Sequence, residues 1–377
     1  LADVFFIFLF ISFLYNLKNL SNIKIDKFDL LISVFSLISI VQFLFFKNSI
    51  SIVGIIASIY LFSIYFIYKI LLSNNFLRII KNYIIISGLV ASVLGILGWI
   101  MIQFNINSPF IIVYDYPFKI GNAGRATALF ETPNALFLFL ILPLFFSLNK
   151  LYENYKIKNF IVFITILFCA ILTFSKSLIL IFGLLVIYFF YYKYKKIKIY
   201  SIILYIMISA FYLFITNILI INKSSNFYDI LLSKTYTGGL KDIVYENKDY
   251  VFVKTNYFLT KKKNWELIKK SPIIGSGFNS FINYKDLDYP SLISRPHSTY
   301  FGFLSEYGLI GLLFIVLLFF NLFDKKLNQS FFGLCLNLIV LFLVIDAFNT
   351  DLIFTKIFWI FFSIMNYTQI ELSQKKI

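Results

Sequence analysis

The sequence predicts an all-α protein, a polytopic membrane helix bundle. Two observations carry that prediction. Of the 377 residues, 60% are hydrophobic and the mean hydropathy is +0.85, whereas soluble domains average roughly 45–50% apolar residues. The apolar residues also gather into runs of spanning or near-spanning length.

Eleven such runs fall at about 4–16, 30–46, 49–72, 83–104, 135–148, 160–174, 178–192, 200–221, 300–323, 331–348 and 353–367. Several are short for a full crossing, which tilt or burial among neighbours accommodates. The short loops alternate in charge. One set carries Lys18, Lys24 and Lys27, then Arg78 and Lys81, then Lys150, Lys156 and Lys158, then Lys193, Lys195, Lys196 and Lys198, then Lys325 and Lys326, with Lys375 and Lys376 in the tail. The opposite set carries only Lys47 and Lys176. Positive charge stays in the cytoplasm, so the first set is cytoplasmic and the two long loops, 105–134 and 222–299, face outward. Span one then begins outside, and a cytoplasmic N-terminus calls for one more span before Leu1, giving twelve in the parent protein. The organisation expected is a bundle over 1–221 that includes outer loop 105–134, a large outer loop over 222–299, and the last three spans with the tail over 300–377.

The same alternation explains the net charge of +16 without nucleic acid, which is excluded as a partner; membrane lipid is the expected surroundings. Cys169 and Cys335 sit inside apolar runs, as small buried hydrophobes do. With one histidine in the chain and no ligand spacing, no metal site and no cofactor are expected.

Polar chemistry concentrates in three outward-facing places. In 121–134, GNAGRATALFETPN, Arg125 precedes an apolar helix. Its planar fork suits a diphosphate, although alone it reads first as a snorkelling arginine. In Thr173–Ser177, TFSKS, Lys176 stands on the side that topology leaves poor in lysine. The third place is 261–311, which holds the only histidine, His297. Arg295-Pro296-His297 leads into a span that Ser298 or Thr299 can cap, and such a helix start favours anions. Glu306 lies two to three turns in, where an ionisable group is functional or paired inside the bundle. Within the same stretch, 260–270 reads as an amphipathic helix with Trp265 and Ile268 on one face, equally suited to lying on headgroups. Of 34 Lys and Arg residues only Arg78, Arg125 and Arg295 are arginine, and two of those three lie in the outer polar stretches, where a bidentate fork matters.

Taken together these stretches resemble the O-antigen ligase and O-antigen polymerase superfamily. GRATALFETPNALFLFL, TFSKS, KKKNWELIKKSPIIGSGFNSF and RPHSTYFGFLSEYGLIGLL follow that family's element order over residues 121–312. The resemblance implies a bundle of about a dozen helices like that of the GT-C glycosyltransferases, with a large periplasmic loop, in the bacterial inner membrane. It implies a metal-independent, inverting transfer of a glycan from undecaprenyl diphosphate to an acceptor hydroxyl on lipid A core or a growing glycan. Arg125, Lys176, Lys261 and Arg295 would hold the diphosphate, His297 would be catalytic, and Glu306 and Ser298 would support them. Lys176 and Lys261 stand where the family often has arginine, Ala128 where it has glycine, and Ser298 where it has asparagine. A ligase is the first reading and a polymerase on the same donor the alternative. A non-catalytic lipid-linked glycan transporter, from a different class, would need charges deep in the spans, for which Glu306, Asp346 and Lys356 are the candidates.

Overall fold

The computed structural model describes residues 26–46, 49–73, 77–104, 106, 109–112, 124–194, 199–224, 243–278, 280–283, 297–324, 327, 330–352 and 355–374. The first expected span and Arg295 lie outside them. Ten of the expected spans are helices: α1 (Lys27–Phe46), α2 (Ser49–Ser73), α3 (Leu77–Gln103), α4 (Pro133–Glu153), α5 (Ile157–Leu172), α6 (Leu178–Tyr194) and α7 (Ile199–Asn217), then, after the outer loop, α10 (Thr299–Leu322), α11 (Phe331–Asp346) and α12 (Lys356–Gln374). Among the described residues α3, α4, α7 and α10 are long and apolar enough to cross a membrane alone. The 16-residue helices α5 and α11 rise about 24 Å, less than the roughly 30 Å hydrocarbon core of a bilayer.

One apolar core runs through these helices, from Phe28 to Met365. α1 and α12 pack along α2, α3 to α5 pack on one another, α6 packs on α7, and α11 bridges to α4. Aromatic rings fill the seams. Phe35 of α1 stacks on Phe314 of α10 with centroids 4.1 Å apart, and the buried Trp359 meets Phe62 edge-on at 4.9 Å. Such pairs favour offset or edge geometry.

Two short sheets depart from the all-α expectation. β1 (Ile111–Ile112) pairs antiparallel with β2 (Arg125–Ala126), in register Ile112↔Arg125. β3 (Ile218–Asn222), β4 (Ile243–Glu246) and β5 (Tyr250–Lys254) form an antiparallel sheet in the order β3-β5-β4 around Ile221, Val251 and Val253. The eighth span therefore ends as a helix at Asn217, not at 221. Ile218–Ile221 is a β-rich run that an apolar window cannot tell from helix.

Between the sheet and α10 lie α8 (Asn256–Lys270) and the short α9 (Ser280–Asn283). α8 is the expected amphipathic helix, with a corrected face. Leu259, Thr260, Lys263, Asn264, Leu267 and Ile268 are buried, whereas Trp265 is 47% exposed. Ile268 and Trp265 therefore point apart. α8 spends its apolar stripe on α10 and α7, which leaves Trp265 for the outside.

Candidate functional site

The loops that flank α4 to α7, α10 and α11 meet at one end of the bundle. Thr132 caps α4, its Oγ1 accepting from the Ala135 amide at 3.1 Å. The strand pair β1–β2 carries Arg125 beside that cap. Arg125 Nε donates to the Thr173 carbonyl at 2.6 Å, and Nη2 donates to Asn134 Oδ1 at 3.0 Å. The guanidinium thus joins the start of α4 to the end of α5. In the turn from α5 to α6, Lys176 Nζ donates to the Ile215 carbonyl of α7 at 2.8 Å. Burial lowers the Lys176 pKa, and the positive charge of Arg125 lowers it further.

On the other side of α7, Lys261 of α8 donates to Asn217 Oδ1 at 2.8 Å and to Asn349 Oδ1 at 2.5 Å. Burial brings its pKa down to about 8. Asn349 also donates to Thr216 Oγ1 at 2.8 Å. Just below, the buried Asp346 takes two hydroxyls on Oδ1, from Ser177 at 2.7 Å and Tyr212 at 2.6 Å. Helices α7 and α8 and the turn before α6 therefore close on the end of α11.

The turn 347–352 that follows α11 holds the start of α10. Asp351 accepts from the Ser298 amide at 3.1 Å, Ser298 Oγ donates to the Ala347 carbonyl at 3.2 Å, and Thr299 Oγ1 donates to the Thr350 carbonyl at 2.7 Å. Ser298 caps α10 as expected from the sequence, its Oγ accepting from the Phe301 amide. His297 stands just outside that cap. Its φ is +48° and its exposed ring lies 5.3 Å from that of Tyr257.

Glu306 is buried one layer further in, at a break in α10. Gly308 has φ +64° and ψ −158°, which interrupts the helix. The carbonyls freed there accept from the loop: Ser305 from the Ser276 amide at 2.9 Å and Glu306 from the Gly277 amide at 3.0 Å, while the Leu309 amide donates to Pro272 at 2.9 Å. The close approach requires glycine on both sides. An added Cβ would lie 2.2 Å from the Glu306 carbonyl oxygen at Gly275, and 2.2 Å from the Ile273 carbonyl oxygen at Gly308.

Arg125, Lys176, Lys261, His297 and Ser298 thus gather at one end, linked through α7 and the 347–352 turn, with Glu306 deeper in α10. Sequence reasoning missed Asn217, Asn349 and Asp351. The visible signal was DAFNTD, a polar cluster at the end of an apolar run. Two small cavities, one apolar beside Leu142 and Phe358 and one beside Ser147 and Lys150, contain none of the site residues. Among the described residues, no group of His, Cys, Asp or Glu is placed to hold a metal ion.

Fold and site define a polytopic helical membrane protein with a cation-rich junction at one end. Residues 161–316 match the family model described as O-antigen ligase, and that stretch belongs to the O-antigen ligase and polymerase superfamily. It runs from α5 to the middle of α10 and includes Lys176, Lys261, His297, Ser298 and Glu306; Arg125 and the 347–352 turn lie outside it. No curated protein and no solved structure matches the chain significantly.

Proposed function

We propose that this chain is an O-antigen ligase, moving a glycan from an undecaprenyl-diphosphate donor to a hydroxyl of lipid A core at the periplasmic face of a bacterial inner membrane. The domain match supports ligase or polymerase chemistry in general. The observation that carries the finer reading is that Lys176 and Lys261, both outside the spans, are held by neutral oxygens at the same end as Arg125 and His297. A carbonyl or amide oxygen positions an ammonium without cancelling its charge, so an arriving diphosphate meets net positive potential. In this reading the bundle residues 1–221 and 300–377 form the membrane scaffold and 222–299 the periplasmic loop.

The chemistry needs little else. His297 takes the proton of the acceptor hydroxyl as its oxygen bonds to the sugar C1 carbon. The bond from C1 to the diphosphate oxygen breaks on the opposite face, which inverts the centre. The electron pair leaves with the diphosphate, whose added charge Arg125, Lys176 and Lys261 stabilise. Arg295 is proposed as a fourth cation, and Ser298 and Glu306 as supports of the α10 start. No metal enters this scheme. A transporter reading is less well supported, because Asp346 ends α11 and Lys356 begins α12, so two of its three candidate charges sit at helix ends.

The test is complementation of a strain lacking the chain with Arg125→Ala and His297→Ala, with membrane levels measured. Ligase activity predicts full-length lipid-linked glycan that is no longer attached to lipid A core. Loss of every repeat beyond the first would make the chain a polymerase, and normal attachment by both variants would remove these residues from the mechanism.

A further inference from the structure

Gln42 lies near the end of α1, far in sequence from the matched domain, and is buried. Its Nε2 donates to the Ile274 carbonyl at 3.1 Å and also to the Glu306 carbonyl. Those two oxygens belong to the two strands of the crossing described above: the loop 272–277 that continues α8, and the broken part of α10. One amide therefore bridges both sides of the junction.

The placement matters because of what each side carries. α8 bears Lys261, and its C-terminal end runs directly into 272–277. α10 begins at Ser298, next to His297, and breaks at Gly308, nine residues on from Thr299 and about 13 Å along the axis. The crossing fixes how α8 sits along α10. A carbonyl that loses a donor seeks another partner, and the loop then rests on the backbone bonds made by Ser276, Gly277 and Leu309.

We infer that Gln42 is a positioning residue, clamping the 272–277 loop into the break of α10 and so setting where Lys261 stands relative to His297. The inference rests on the reading of the chain as a transferase for its effect on turnover, but not for the clamp itself. Gln42 touches no reacting group. It acts by holding two elements in register, and small misplacement of reacting groups lowers turnover steeply.

The test uses the full chain in lipid nanodiscs with spin labels on Lys269→Cys of α8 and Leu313→Cys of α10, both at exposed positions; the native Cys169 and Cys335 are buried. Gln42→Met keeps the length and removes the donor. Gln42→Asn keeps the amide but is too short to reach both carbonyls, and serves should the first variant fail to fold. Either variant is expected to broaden the label-to-label distance distribution, to lower kcat about tenfold and to raise the donor KM, because Lys261 is displaced. An unchanged distribution overturns the clamp. A broadened distribution with unchanged kcat overturns its link to the site. Should the unsubstituted chain transfer no glycan from any lipid-diphosphate donor, the transferase reading falls, while the distance measurement still decides the clamp.

Discussion

At one end of the bundle Lys69 of α2 stands between two carboxylates, paired with Asp26 at 2.7 Å and with Asp29. Tyr65 donates to Asp29 Oδ1 at 3.1 Å, and Asn366 of α12 donates to Asp26 Oδ2 at 2.8 Å and to the Tyr65 hydroxyl. These partners come from α1 and the residue just before it, α2 and α12. At the opposite end Lys176 is exposed and Lys261 half-buried, and among the described residues neither has a carboxylate partner; each is held by carbonyl or amide oxygens. The first arrangement is closed, since its charge is cancelled where it is buried, and such a cluster serves to join helices. The second is open, since cations held only by dipoles retain their field for a ligand. Backbone geometry divides the same way. Among the described residues the left-handed positions are Ala128, Phe174, Gly275, Gly277, His297 and Gly308. All fall in the stretches around the open end and none near Lys69. Strain concentrated there is what a functional site tolerates.

The sharpest way to break this contrast is to remove one group from each end. His297→Ala is expected to lower glycan transfer about 10²–10⁴-fold, the usual contribution of a general base, with melting temperature and membrane level unchanged. Lys69→Met is expected to do the reverse. It leaves Asp26 and Asp29 buried without their cation and costs about 3–5 kcal/mol of stability, read as a fall in melting temperature in detergent, while the surviving folded protein transfers at normal rate. If Lys69→Met lowered transfer per folded molecule, or His297→Ala lowered stability by a similar amount, the division between a structural and a functional end would fail.

The sequence shows this division only in part. Span positions are legible because apolar runs of about 13 to 24 residues stand out in the sequence. The polar stretches around Arg125, Lys176 and His297 stand out because the chain has three arginines and one histidine, and because the short loops on that side carry little lysine. The partners do not stand out. Asn217 and Asn349 are ordinary helix-end asparagines in the sequence, and only the fold brings them to Lys261 across 44 and 88 residues. The Lys69 cluster joins Asp26 to Asn366 across 340 residues. The β3–β5–β4 sheet was hidden for a different reason: Ile218–Ile221 continues an apolar helix without a break in composition. The Trp265 face was misjudged because a helix with lysines all round gives its inward side only through Leu259, Leu267 and Ile268.

A middle-sized effect sharpens the open end. Burial holds the Lys261 pKa near about 8, below the ordinary lysine value, so the free chain loses this charge as pH rises through that value. In the proposed function a diphosphate binds the protonated form. The second-order constant for the donor is therefore expected to fall about tenfold per pH unit above the Lys261 pKa. Lys261→Arg keeps a cation that does not titrate there and is expected to carry the plateau beyond pH 9. Lys261→Met is expected to lower transfer at every pH with little loss of stability, since it deletes a charge that no carboxylate balances. A profile for the unsubstituted chain that stays flat to pH 9.5 would mean that Lys261 does not act on the donor as a cation.

The smallest effect concerns Ala128, which takes φ +48° and is buried at the position where the family resemblance expects glycine. A left-handed alanine costs roughly 1–2 kcal/mol. Glycine removes that strain but gives back about 0.5–1 kcal/mol in backbone entropy and forfeits a buried methyl group. Ala128→Gly is therefore expected to change stability by less than about 1 kcal/mol, with transfer unaltered. Ala128→Val is the informative partner, because a β-branched side chain tolerates this conformation worst, and the turn beside Arg125 would have to move. Loss of transfer by Ala128→Val with the fold retained would tie the backbone shape at 128 to the placement of Arg125. Equal behaviour of the glycine and valine variants would show that the left-handed turn is incidental, and would remove backbone strain from what separates the two ends.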